Sequence, residues 1–458
     1  MVLRRNFTRH VQEGSVLKII NVTKNVPLKG EISAPPDKSI SHRAVILASI
    51  ADGKSIIKNF LYAEDPLRTV EAFKQMGIEI KEFKSSRVQE FKGSVDIVIK
   101  GKGLTGLKKP RNIIDCGNSG TTMRLLCGVL AGQQFSATLT GDTSLRSRPM
   151  QRVITPLAEM GARITSGAGV YPPLTIQGRN LKPIDYKSPV ASAQVKSAIL
   201  LAGLYCSGIT TVSEPDKSRD HTERMLKASG ADINIKNLEV SIRGGVNLKP
   251  LDTTIPGDFS SAAFFIVAGA VVPGSGILVR DVGINPTRTG LLEILEMMGA
   301  RIRIENKHEV SGEPVADLYA SHSALKGVII GSDLVLRAID EFPVICIAAA
   351  LAQGTTKITG ARELRVKESD RIKSMSEGLR KMGVEAEELE DGIIIKGRER
   401  FNAAKVQSYG DHRVAMALAI AGLTAQGGTI IEDTDCVNTS FPGFMEMLKR
   451  LQDGSFNS

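Results

Sequence analysis

Four short stretches of this 458-residue chain set cations, hydroxyls and carboxylates close together. The first is Asp37-Lys38-Ser39-Ile40-Ser41-His42-Arg43, at the start of an apolar run. The second, "GNSGTTMR", offers Asn118, Ser119, Gly120, Thr121 and Arg124. The third, "RVKESDR", carries Arg365, Lys367, Glu368, Asp370 and Arg371. The fourth, "GDHRVAM", holds Asp411, His412 and Arg413. Arg and Lys beside hydroxyls suit a phosphate or carboxylate, and acids among them suit proton transfer. Each stretch also has a plainer reading. Asp or Ser caps a helix in the first, a tight turn uses the glycines of the second, the third is a solvated loop, and Asp411 is an N-cap. None of these explains an arginine at the edge of an apolar helix. Cations recur at such edges: Lys38 and Arg43, Arg124, Lys196, Arg413, joined by Arg148 of "RSRPM" and by Lys217 and Arg219 of "KSRDHTE". Together they call for several acidic groups to meet.

The elements that would carry them repeat. A polar or Gly-rich entry, a helix of small apolar residues and a Gly recur from Asp115, Ser188, Pro256, Ala338 and Ser408, as in the opening stretch. A second helix follows in most units and ends alike, in "EAFKQMGIEI", "TPLAEMGARI", "ERMLKASGADI", "LEILEMMGARI" and "EGLRKMGVEA", with Gly where a left-handed cap is expected. The pattern predicts six units of roughly 70–80 residues. The first helix type is apolar all round, as around Ala262–Val272, and so is buried; the second is amphipathic. Buried helices inside walls of sheet, in two sets of three, is the simplest packing. Six helix entries facing one cleft would add their positive ends to the cations.

Bulk properties narrow the partner. The net charge is +10, yet Trp is absent, aromatics are 4% and the basic residues are scattered, which favours small anions over nucleic acid. Five cysteines (116, 127, 206, 346, 436) without CxxC and six histidines without a ligand pair predict a reduced cytosolic chain and no metal. No apolar run is long enough for a membrane span, and no signal peptide is evident. The basic start "MVLRRNFTRH" reads as a leader before strand-like "LKIINV".

The chain resembles the 5-enolpyruvylshikimate-3-phosphate synthases from about Leu17 to about Leu451. "DKSISHRA", "GNSGTTMR", "SRPM", "ASAQVKSA", "RVKESDR", "GDHRVAM" and "TSFPGF" occur in family order, and "SAQVK", "RDHTE" and "NPTRT" are similar to its class II branch. The resemblance implies an α/β fold: a two-domain inverse (inside-out) α/β barrel of six βαβαββ repeats, three per domain. One domain would be 37–256 and the other 1–36 plus 257–458, with the active site in the cleft between them. It also implies enolpyruvyl transfer from phosphoenolpyruvate to the 5-hydroxyl of shikimate 3-phosphate, with no metal or organic cofactor, in a cytoplasmic monomer open to glyphosate. The UDP-N-acetylglucosamine enolpyruvyltransferases are the nearest alternative. They carry a cysteine-bearing loop where "TSLRSRPMQ" has none. A non-catalytic basic nucleic-acid binder is the alternative of another class.

The resemblance carries roles residue by residue. Glu368 would protonate the methylene carbon, Asp340 would take the hydroxyl proton, and Lys38 would stabilise charge on both. Glu341 offers a second carboxylate beside Asp340, or an N-cap. Ser39, Arg43, Ser192, Ala193, Arg219 and Lys367, with Lys38, Gln194 and Asp340, would hold shikimate 3-phosphate. Lys38, Gly120, Arg148, Gln194, Arg371 and Arg413 would hold phosphoenolpyruvate. His412 reads as structural. Thr439 stands where some relatives have a phosphoenolpyruvate-binding lysine. With no ligand between them, the cations of the two domains are expected to repel and hold the cleft open.

Overall fold

Six apolar runs form helices at Lys38–Ile50, Gly120–Ala131, Ala193–Gly203, Phe259–Val271, Phe342–Ala350 and His412–Gly422 in the computed structural model, which describes residues 20–22, 26–84 and 93–454. The basic leader lies outside these residues. Five of the six start on a side chain that accepts from the first turn. Asp37 Oδ1 takes the Ile40 N–H at 2.8 Å, Ser119 Oγ that of Thr122 at 3.1 Å and Ser192 Oγ that of Val195 at 3.5 Å. Asp258 Oδ1 takes the Ser260 N–H at 2.7 Å and Asp411 Oδ1 that of Arg413 at 2.9 Å. Each such cap contributes about 1 kcal/mol. At Phe342–Ala350, Glu341 occupies the cap position without capping.

These helices have no polar face, so they must be covered all round. Every residue of Phe259–Val271 is buried. They pack against one another in two groups of three, the first three together and the last three together. The approach is close where the side chains are smallest: a Cβ at Gly128 would stand 2.2 Å from the Ala198 carbonyl oxygen. The amphipathic helices Glu64–Gln75, Gln151–Glu159, His221–Ala228, Gly290–Met297 and Arg371–Lys381 lie further out. Each gives way to the expected glycine, and Gly77, Gly161, Gly230, Gly299 and Gly383 all have φ between 80° and 99°.

Four-stranded sheets wall the helices. In each, a first strand pairs parallel to a second, and the second and fourth flank the third in antiparallel register. In one unit Asp185–Lys187 pairs with Ile209–Ser213, which pairs with Glu239–Arg243, which pairs with Ile233–Lys236. Two units exchange their first strands. Lys29–Ser33 joins Gly276–Gly283, and Thr253–Thr254 joins Asp52–Leu61. The sixth sheet departs from the pattern: Thr429–Glu432 pairs parallel to Lys405–Gln407 and antiparallel to Ile20–Val22, so the start of the chain closes the last unit.

Buried residues form two cores. Among the described residues, one gathers residues from Ile40 to Ile255; the other takes Val22, Leu28, Ile32, Ala34, Leu61, Ala63 and residues from Phe259 to Leu451. The chain crosses between these halves twice, and the crossings lie side by side. Asp37 N–H donates to Pro256 O at 2.8 Å and Asp258 N–H to Pro35 O at 2.7 Å.

Candidate active site

All six inner helices bring their entries together, and side chains link them directly. The Lys38 N–H donates to Asp258 Oδ2 at 3.2 Å, joining two entries. Arg43 Nη2 donates to Ser197 Oγ at 3.1 Å, and Gln194 Nε2 to Thr121 Oγ1 at 3.0 Å. Ser260 Oγ donates to Glu341 Oε1, and Arg413 Nη1 to the Asp340 carbonyl at 3.2 Å. Helix starts orient free N–H groups and a partial positive charge inward, so this meeting point favours anions.

Asp340 is its centre. Arg219, from the first half, donates to Asp340 Oδ2 at 2.7 Å; Arg371 and Arg413, from the second, stand 3.3 Å and 3.7 Å from its carboxylate. Burial pushes the Asp340 carboxyl up, but Arg413, Arg219 and Arg371 hold it well below the usual carboxylate range. Arg371 is 1% exposed and spends its whole fork on acids: Asp411 at 2.8 Å, Asp340 at 3.3 Å and Glu368 at 2.5 Å. Burial likewise raises Glu368, and Arg371, His412, Lys38 and Arg413 override it, leaving an anion. Lys367 lies beside this group; burial lowers its ammonium and Asp340 opposes that.

The other expected residues are held by other partners. Lys38 Nζ donates to Asp65 Oδ2 at 3.1 Å. Arg43 is buried and donates to Thr222 Oγ1 at 2.7 Å and to the Ser39 carbonyl at 3.0 Å. Burial brings its guanidinium down to about 10, and Glu223 and Asp37 oppose that. Ser192 caps its helix and gives its N–H to Glu214; the Ala193 carbonyl accepts from Ser197. Arg148 donates to Asn118 Oδ1 at 2.7 Å, and Arg124 to Gln194 Oε1 at 2.8 Å. Gly120 lies under both arginines: a Cβ there would stand 2.9 Å from Arg124 Nη1 and 3.5 Å from Arg148 Nη1. Thr439 ends a short 3-10 helix and donates to the Cys436 carbonyl.

Two sequence expectations need correction. Lys196 does not face an anionic ligand. It is buried between Glu214 at 2.7 Å and Glu223 at 2.8 Å, so its charge is met inside the fold. Nor do the cations of the two halves face each other bare. Asp340 stands between Arg219 and Arg371, and Glu363 bridges Arg152 at 3.3 Å and Lys367 at 3.8 Å. His412 is buried at its helix start, and burial lowers its imidazole to about 4. Glu341 is buried and carries the Ser260 hydrogen bond, so the more accessible member of the pair is the half-buried Asp340.

Sequence reasoning missed the acids that hold the cations. They are Asp65 at Lys38 and Glu363 at Arg152 and Lys367, neither acid lying in the four stretches singled out. No cluster of His, Cys, Asp and Glu suited to a metal occurs among the described residues, and none of their helices is long and apolar enough to cross a membrane.

The model of one family, EPSP synthase (3-phosphoshikimate 1-carboxyvinyltransferase), matches residues 22–448. The chain belongs to the EPSP synthase family. Among curated EPSP synthases, each named 3-phosphoshikimate 1-carboxyvinyltransferase, that of Thermodesulfovibrio yellowstonii is 53% identical over 94% of this chain and 99% of the relative. That of Citrifermentans bemidjiense is 52% identical over 92% of this chain and 96% of the relative. A solved EPSP synthase from Acinetobacter baumannii superposes with a TM-score of 0.86 at 45% identity, covering 95% of this chain and 98% of that one. The EPSP synthase fold, a two-domain inside-out α/β barrel, is the arrangement of inner helices and outer sheets described above.

Proposed function

We propose that this chain is a transferase that moves the enolpyruvyl group of phosphoenolpyruvate to the 5-hydroxyl of shikimate 3-phosphate and releases phosphate. The step belongs to the shikimate pathway toward chorismate and the aromatic amino acids. Family membership over nearly the whole chain carries the reading. The meeting of six helix entries around Asp340, Glu368 and the surrounding cations supports it chemically.

Both substrates are small anions. Arg371, Arg413, Arg148, Lys38 and Gln194, above Gly120, are proposed to take phosphoenolpyruvate. Arg43, Arg219, Lys367, Ser39, Ser192 and the Ala193 backbone are proposed to take shikimate 3-phosphate, with Lys38, Gln194 and Asp340. Glu368 protonates the methylene carbon while Asp340 removes the hydroxyl proton, and the oxygen bonds to the central carbon. The reverse proton movements then expel phosphate and restore the double bond. The ion pairs explain the timing. Glu368 is an anion while Arg371 faces it at 2.5 Å. A phosphate or carboxylate engaging Arg371 and Arg413 weakens that pull and lets Glu368 take up the proton it must give.

The reading extends to two domains, 37–256 and 1–36 plus 257–458, with the substrates between them. It extends also to a cytoplasmic monomer and to glyphosate as an occupant of the phosphoenolpyruvate site. All five cysteines are free thiols, at home in a reduced compartment. The test is phosphate release from phosphoenolpyruvate with shikimate 3-phosphate, run beside UDP-N-acetylglucosamine as acceptor. Turnover with the first alone is expected; turnover with the second alone would assign the chain to the other enolpyruvyl transfer.

A further inference from the structure

The stretch Asn285-Pro286-Thr287-Arg288 stands outside the site assigned above, yet Asn285, Thr287 and Arg288 are buried. It runs into the Gly290–Met297 helix of the second half, and its two ends grip different partners. Arg288 Nη1 donates to Asp37 Oδ2, and Nη2 donates to Asp258 Oδ1 at 3.1 Å and Ser260 Oγ at 2.8 Å. Ser260 Oγ passes the contact on to Glu341 Oε1. At the other end, Asn285 Nδ2 donates to Asp220 Oδ1 at 2.7 Å and Glu313 Oε2 at 2.9 Å, and Thr287 Oγ1 lies 3.4 Å from Asp220 Oδ1.

Three of the acids held in this way are chain neighbours of proposed site residues. Asp37 precedes Lys38, Asp220 follows Arg219, and Glu341 follows Asp340. Adjacent Cα atoms are about 3.8 Å apart, so pinning one residue confines the backbone of the next. Asp258 adds a direct hold, because its Oδ2 accepts the Lys38 N–H. Lys38 and Arg219 belong to the first half and Asp340 to the second. The segment therefore spans the pair of crossings and touches the backbone neighbourhood of all three.

We infer that Asn285-Pro286-Thr287-Arg288 is a positioning element for the transfer reaction, Arg288 setting Lys38 against Asp340 and Asn285 setting Arg219. The inference rests on the site roles proposed for Lys38, Asp340 and Arg219. A buried guanidinium shared by two carboxylates from different halves holds its geometry closely, since any departure strands a buried charge. A planar fork does this where an ammonium does not.

Steady-state kinetics of the full chain, measured below the onset of melting, separate the two ends. Arg288→Lys keeps the charge and loses the fork. Its kcat is expected to fall about tenfold or more, with both KM values within about threefold of the parent. Asn285→Ala is expected to show the reverse split: KM for shikimate 3-phosphate up about tenfold or more, kcat within about threefold. A purely structural role moves the melting temperature and leaves no such split. The same kinetic pattern in both variants, or constants within about twofold of the parent, would overturn the inference. If either variant fails to fold, Ser260→Ala and Thr287→Val replace it at the corresponding end and are read in the same way. Lys38→Ala and Asp340→Ala run alongside. Full activity in these would sink the site assignment itself, whereas their inactivity beside a normal Arg288→Lys would sink only the positioning role.

Discussion

At the scale of single residues, Glu368 and Gly120 make the sharpest demands. Arg371 keeps Asp411 and Asp340 as partners, so Gln at 368 leaves its charge met while removing the proton the carbon needs. Glu368→Gln is expected to lower turnover about a hundredfold or more, the usual worth of a general acid. Calorimetry should find shikimate 3-phosphate binding nearly unchanged; a mutant with near-normal turnover removes Glu368 from the chemistry. At Gly120 a methyl group would crowd Arg124 Nη1, 2.9 Å away, and Arg148 Nη1 beyond it. The guanidinium tips can yield, but the space over them shrinks. Glyphosate is the longer anion, so Gly120→Ala is expected to raise its inhibition constant more than the KM for phosphoenolpyruvate. Equal losses for both would show that Gly120 does not border their shared site. Lys38, Glu368 and Arg371 could be picked out because their stretches mix charge types at a helix edge. Asp65 could not: it is one of two first-turn carboxylates in "YAEDP", beside Glu64, and only the fold brings it to Lys38.

At the scale of elements, the inner helices carry buried charge that must be matched locally. Lys196 lies in Ala193–Gly203 with Glu214 and Glu223 as its partners. Lys196→Met strands two buried carboxylates and is expected to cost about 3–5 kcal/mol in urea unfolding. The KM values of the folded fraction should stay near the parent's; a raised KM would return Lys196 to the ligand site. The helix starts also bury two imidazoles. Burial lowers His42 to about 3, with Asp65 opposing, and His412 to about 4, with Arg413 and Lys38 assisting. In the unfolded chain both take up protons below about 6.5, while in the fold they stay neutral to about pH 4. The stability they support is therefore complete above pH 6.5 and drains away as pH falls from there. The slope reaches ~1.4 kcal/mol per pH unit for each ring. Urea midpoints between pH 7.5 and 5 should show it, and His412→Asn should flatten it; an unchanged slope would speak against a buried neutral His412. Such elements are the most legible part of the sequence. Apolar periodicity, small residues and terminal glycines mark both helix types, because burial and capping act on neighbours in the chain. Lys196 misled for the same reason: its matching acids lie 18 and 27 positions further on, at Glu214 and Glu223.

At the scale of the whole molecule, the charge balance between the halves decides their spacing. The sequence shows the cations; only the fold shows Asp340 lying between Arg219 and the pair Arg371 and Arg413. Without that carboxylate the bare cations would repel. Two unit charges ~6 Å apart at an effective dielectric near 20 repel by about 3 kcal/mol. Asp340→Ala is therefore expected to have a larger radius of gyration than the parent by small-angle scattering, and shikimate 3-phosphate should reduce it. Identical scattering curves would mean that these charges do not set the spacing. The exchange of strands between units was equally hidden, since pairing partners far apart in sequence leave no local mark. The six-unit count survived because each unit keeps its own helices even where it borrows a strand.

That borrowed strand has a consequence for how the chain comes off the ribosome. Lys29–Ser33 is made early, but its partner Gly276–Gly283 is not, and the Leu28 N–H waits for a hydroxyl, that of Ser275, 247 residues downstream. At roughly 5–20 residues per second, that delay is on the order of ten to fifty seconds. During it the half from Lys38 onward can complete its own sheets, while an early strand hangs ahead of it with both edges open. Such a strand is a hazard for unwanted pairing unless its own sequence discourages it. Lys29-Gly30-Glu31 does so: two opposite charges around a glycine make a poor template until the proper edge arrives.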